Sequence, residues 1–102
     1  MSEIVNISNS EKLEVDFDAW KLMELNDTAI IRINMKAGYS VAEHVNKKTV
    51  VFYVLHGEGE LTIDGQAFLP VEGDSIKVEK GKIRSWTVIG DSALELLVVK
   101  FL

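Results

Sequence analysis

Few side chains in this chain could do chemistry, and the best placed are His44, Asn46 and Arg84. His44 and Asn46 stand two positions apart, so on an extended strand they point to the same side. Arg84 shares a side with Trp86 and Val88 by the same rule. An imidazole ordinarily titrates near neutrality and can give or take a proton. A guanidinium is a permanent cation with a planar fork that grips a carboxylate or phosphate through two parallel hydrogen bonds. A single histidine without an orienting carboxylate is a weak basis for catalysis. The second histidine, His56, adjoins Gly57 at the end of an apolar run and is expected outside any pocket. There is no cysteine, which removes disulfides, thiolate metal sites and cysteine nucleophiles. No Gly-rich phosphate loop, nucleophile elbow or HExxH helix is present.

The elements that must position these residues are short strands. Val50–Leu55 is β-branched and aromatic and too short for a typical helix. Ala29–Met35 breaks at Lys36-Ala37-Gly38. Leu61-Thr62-Ile63 runs into Asp64-Gly65, a strong hairpin signal, and Ala67–Leu69 follows until Pro70. Ser75–Val78, Ile83–Val88 and Ala93–Phe101 complete the set, with Gly81 and Gly90 in the turns. Gly57-Glu58-Gly59 lies between strands and reads as a hairpin feature. Regular short strands with glycine turns predict an all-β sandwich or barrel. Residues 8–25 are harder: Ser8 and Glu11 have the spacing of a helix capping box, whereas Leu13, Val15 and Phe17 alternate as in a strand. The expectation is a loop that enters a strand near Trp20–Leu25.

With 102 residues the chain is one domain, large enough for a core without staples. Sixteen acids against 11 bases give a net charge of −5, and the bases form no block. A nucleic-acid binder would carry a basic footprint, so DNA and RNA are not expected partners, nor is an anionic membrane surface. Met1–Ser10 lacks the pattern of a signal peptide, and Val50–Leu55 is far shorter than a spanning helix. A cytoplasmic location fits the absence of cysteine.

The glycine spacing resembles the cupin family, of the small single-domain cupin 2 type, over roughly Ile30 to Val99. The family's first motif has a glycine, five residues, His-X-His, a glutamate about four residues on, then six residues and a glycine; Gly38, His44 and Gly57 match it here, while Asn46 replaces the second histidine and Val50 the glutamate. In its second motif Gly73, Asp74 and Gly81 match, while Glu79 replaces a proline and Arg84 a histidine. Phe52–Glu60 followed by Asp64-Gly65 is also typical of such proteins. The resemblance implies a double-stranded β-helix, an RmlC-like jelly-roll barrel spanning 28–102, with 1–27 as an N-terminal segment packed upon it. Fold alone does not give function.

The same resemblance implies where the polar residues meet. His44, Asn46, Val50 and Arg84 fall where cupins hold a metal, and Val50, Phe52 and Val54 face inward, as do Trp86 and Val88. The implied ligand-binding residues are His44, Asn46, Val50, Phe52, Arg84 and Trp86. Metal sites of this kind need three donors, and only His44 is a strong one, so no metal and no other cofactor is expected. A rebuilt site would need Glu43 or Glu79 to turn inward. Arg84 either holds a ligand carboxylate or phosphate, or pairs internally with Glu79 or Glu43 with its stem along Trp86. Tyr39 is expected at the barrel rim, Trp20 in packing, Tyr53 on the outside, and Lys47-Lys48 in a solvated turn.

The leading expectation is a metal-free cupin that binds a small acidic metabolite without established catalysis. One alternative is a cupin enzyme of isomerase, lyase or dioxygenase type, using His44 and Arg84 or a rebuilt metal site. Another is a structural module with a vestigial pocket. A homodimer is expected from outward apolar positions Val51, Tyr53 and Leu55, with either Leu94, Leu96 and Val98 or Leu97 and Val99 on the last strand.

Overall fold

A computed structural model describes residues 3–102. Ten strands follow one another without a helix among the described residues: β1 (Glu11–Lys12), β2 (Asp18–Leu25), β3 (Thr28–Met35), β4 (His44–Val45), β5 (Val50–His56), β6 (Glu58–Ile63), β7 (Gln66–Phe68), β8 (Ser75–Val78), β9 (Ile83–Ile89) and β10 (Leu94–Phe101). One sheet has the order β1-β2-β3-β10-β5-β8 and the other β4-β9-β6-β7. From β4 onward the chain keeps crossing between the two sheets, so they close on each other as a jelly-roll barrel. No helix of the described residues is long and apolar enough to cross a membrane.

Period-two patterning fixes which face of each strand is inside. On β5, Val50, Phe52 and Val54 are buried while Tyr53 and Leu55 are exposed. On β10, Leu94, Leu96 and Val98 are buried, which leaves Leu97 and Val99 as the outward pair. β10 lies between β3 and β5, with Leu94 opposite Met35 and Phe101 opposite Thr28. From the smaller sheet Leu61, Trp86 and Val88 face them. The rings of Phe52 and Trp86 meet edge to face, 5.4 Å between centroids, and join the sheets. Burying each such side chain contributes about 1.5–3 kcal/mol.

The turns explain why the motif glycines survive. Gly57, between β5 and β6, has φ of 91°, and a Cβ there would stand 2.3 Å from the Ala93 carbonyl oxygen. Only glycine permits both the conformation and the approach. At the β6–β7 hairpin Asp64 and Gly65 both have positive φ, 48° and 81°, the backbone of a type I′ turn.

The N-terminal segment is built into the sheet. β2 pairs with β3 from Asp18 opposite Asn34 to Leu25 opposite Thr28, so the strand expected near Trp20–Leu25 is present and begins two residues earlier. Met1 and Ser2, part of the expected 1–27 segment, lie outside the described residues. The Ser8–Glu11 capping box does not start a helix: Ser8 N–H donates to Asn6 Oδ1 at 2.8 Å in a turn, and Glu11 enters β1. Short polar side chains at a turn compete with a helix for the same backbone donors. Residues 13–17 do not form a strand either, although their alternation turns out to have a purpose.

Candidate functional site

β4 and β9 pair antiparallel so that His44 is opposite Arg84 and Val45 opposite Ile83. Just beyond β4 the chain is clamped to the β8–β9 turn: Asn46 N–H donates to Lys82 O and Gly81 N–H to Asn46 O, both at 2.8 Å. That clamp buries the Asn46 side chain, which is 3% exposed. Its Nδ2 donates to Val78 O at 3.2 Å, and its Oδ1 accepts from Arg84 Nε. Asn46 thus spends its oxygen and one donor hydrogen inside the protein, as a buried amide must, and serves to hold Arg84. The guanidinium lies 4.9 Å above the Phe52 ring centroid, a stacking that fixes its plane.

Arg84 has no carboxylate within 4.0 Å among the described residues. The internal partners expected from sequence do not reach it: Glu79 pairs with Lys77 at 3.3 Å, and Glu43 is exposed. Burial pushes the Arg84 pKa down to about 10. It therefore remains a cation at neutral pH, in a place where its charge is poorly solvated.

Arg84 lines a cavity of about 470 Å³ at one end of the barrel. His44, Asn46, Val50 and Phe52 line it too, so five of the six expected binding residues are brought together. Trp86 is the exception. It faces inward but is sealed into the core at 2% exposure, and does not border the cavity. Two residues along β9 from Arg84, it lies one layer deeper, beneath Phe52. His44 is an exposed rim residue, with Nδ1 3.4 Å from Ala42 O. Tyr39 packs edge to face on Phe17, 6.1 Å between centroids, away from the cavity. His56 is at the opposite end, 3.0 Å from Glu72, and Trp20 packs beneath the Lys12 ammonium, 5.7 Å from the ring centroid.

Several lining residues were not expected. Leu13, Val15 and Phe17 supply part of the wall: their alternation is that of one apolar face, carried by a loop rather than a strand. Lys47, Lys48 and Lys100 stand round the same cavity. With Arg84 they make four cationic side chains and no carboxylate, in a chain whose net charge is −5. The Lys47-Lys48 turn is solvated as expected, but its place beside Arg84 comes from the clamp on Asn46 and is invisible in the local sequence.

The residues do not fit a metal. At the four positions where the resemblance places ligands, only His44 offers a free strong donor; Asn46 is committed, Val50 has no donor atom, and Arg84 repels a cation. Among the described residues, no group of three or more His, Asp or Glu side chains is arranged to hold an ion.

The family model described as "Cupin domain" matches residues 31–100. No curated protein matches the sequence. Among solved structures, a predicted oxalate decarboxylase from Thermotoga maritima is similar at 22% identity and TM-score 0.85, over 98% of this chain and 99% of that one. KdgF from a Halomonas species has 11% identity and TM-score 0.84, covering 100% and 96% of the two chains. The polyketide cyclase RemF from Streptomyces resistomycificus has 18% identity and TM-score 0.82, covering 99% and 80%. Likeness at these identities is likeness of fold.

Proposed function

The chain belongs to the cupin family, and we propose that it is a metal-independent member that binds a small acidic metabolite in the cavity at the Arg84 end of its barrel. The observation that carries this reading is the lone guanidinium: buried enough to be depressed to about 10, held by Asn46 and Phe52, and without a carboxylate partner. A half-buried charge lacking a counter-charge is a standing cost, and an anionic ligand relieves it. Arg84 is the anchor, Asn46 orients it, Val50 and Phe52 form the floor, and His44 adds a donor at the rim. The cavity of about 470 Å³ argues against a vestigial pocket.

Calorimetric titration with benzoate and with inorganic phosphate tests the reading. At least one is expected to bind the wild type at pH 7, and Arg84→Gln to weaken it on the order of a hundredfold. Equal binding by both proteins would refute it. The enzymatic alternative rests on His44 and Arg84 being cross-strand partners on one cavity, which would pair a proton carrier with an electrostatic stabiliser. Turnover abolished by His44→Gln with ligand binding intact would establish it.

A homodimer in the cytoplasm is part of the same proposal. Val51, Tyr53 and Leu55 on β5 and Leu97 and Val99 on β10 give the larger sheet an apolar outer face, and such patches usually mark interfaces. Light scattering at micromolar concentration should give twice the chain mass, and a monomer would remove the claim.

A further inference from the structure

We infer that the cavity is built for a monocarboxylic acid with an apolar body, not for a sugar acid or a phosphate ester. This rests on the reading of Arg84 as an anion anchor and goes on to name the chemical class of the anion.

The Asn46 oxygen is occupied by Arg84 Nε, and one Nδ2 hydrogen by Val78 O. Among the described residues, no serine, threonine, tyrosine, aspartate or glutamate borders the cavity. The polar groups left are mainly donors: the terminal nitrogens of Arg84, the ammonium groups of Lys47, Lys48 and Lys100 and the second Asn46 Nδ2 hydrogen, with the exposed His44 imidazole at the rim as the one side chain that can also accept. A polyhydroxylated ligand brings hydroxyl hydrogens that need acceptors, and each one buried without a partner is penalised. The rest of the lining is hydrocarbon, including Phe17, Ile31, Ile33, Val50, Phe52 and Val98.

The anchor selects the head group. With Nε committed and the plane fixed over Phe52, Arg84 presents its two terminal nitrogens as one edge, which matches the two oxygens of a carboxylate. Asn46 is fully buried in the wall, Arg84 and Lys100 are half-buried, and Lys47 and Lys48 are exposed. Of the two half-buried cations, Arg84 is the one fixed by a hydrogen bond and a ring, and one fixed guanidinium pairs with one carboxylate. A phosphate ester dianion would bring a second charge into the same apolar surroundings, where uncompensated charge is costly. The exposed Lys47 and Lys48 draw anions toward the entrance without having to be desolvated. A volume of about 470 Å³ is of the size that encloses a small organic ligand.

The test is a calorimetric series of butyrate, hexanoate and octanoate at pH 7, with gluconate, inorganic phosphate and neutral octanol as comparisons, on wild type and Arg84→Gln. The expected result is binding that tightens about fourfold for each added methylene, loss of octanoate binding in Arg84→Gln, and weaker binding of octanol and gluconate than of octanoate. Arg84-dependent binding of gluconate or phosphate as tight as octanoate, or affinity indifferent to chain length, would overturn this inference while leaving the acidic-ligand reading in place. If no acid binds, or if all bind equally to Arg84→Gln, both readings fall. Circular dichroism and thermal unfolding of Arg84→Gln separate lost binding from lost folding: a native spectrum with lost binding supports the inference, and retained binding overturns it.

Discussion

Strands β5 and β9 each run from one end of the barrel to the other, and the side chains change character along them. At the Val50 and Arg84 end the charged residues that line the cavity are cationic among the described residues, and the one that matters is packed against an aromatic ring. At the His56 and Ile89 end a second depression of about 380 Å³ is bordered by Glu58, Glu72 and Asp91. There His56 lies 3.0 Å from Glu72, with both side chains more than half exposed, and Glu72 also accepts the Gly57 N–H at 3.2 Å. Charge at the acidic end is exposed to water and in part already matched within the protein. The Arg84 charge is partly desolvated and has no carboxylate partner among the described residues. The difference separates a surface from a candidate site, because an exposed ion pair contributes little whereas a buried cation without a partner is unfavourable until something binds.

The comparison can be broken at its most buried point first. Phe52→Ala removes the ring under Arg84 and its contact with Trp86, and should cost about 3–5 kcal/mol in urea unfolding. Asn46→Ala leaves Arg84 Nε and Val78 O without their partner and should cost about 1–3 kcal/mol. It should also weaken octanoate binding, a readout that a purely structural amide would not move. The pH profile is the next test. Because burial depresses the Arg84 pKa to about 10, octanoate affinity should be flat from pH 6 to 9 and fall above about 10, approaching tenfold per unit. The sign for stability is the reverse. Above about 10 the unfolded chain keeps the proton that the folded chain releases, so Arg84's contribution to folding improves as pH rises toward the ordinary guanidinium range. A fall in affinity between pH 6 and 8 would point to an imidazole anchor instead. The smallest effect belongs to the acidic end, where Glu72→Ala should change stability by under about 1 kcal/mol and leave acid binding unaltered.

The glycine pattern and the alternation on β5 and β10 made the barrel readable from sequence, since a strand with one buried face writes its register into its side chains. The alternation of Leu13, Val15 and Phe17 was equally visible but ambiguous, because an apolar face lining a cavity from a loop has the same period as a strand. Arg84 was legible as a cation in a ligand position, yet its partner was not: whether Glu43 or Glu79 could reach it depends on the β4–β9 register and on the Lys77–Glu79 pair. Trp86 shared Arg84's face but not its depth, and parity along a strand carries no information about depth.

The most direct measurement is the affinity of octanoate for protein dialysed against a chelator, beside untreated protein and Arg84→Gln. The first two should titrate identically and the third should show no binding. Binding that disappears with the chelator, or that survives the loss of the guanidinium, would contradict the account.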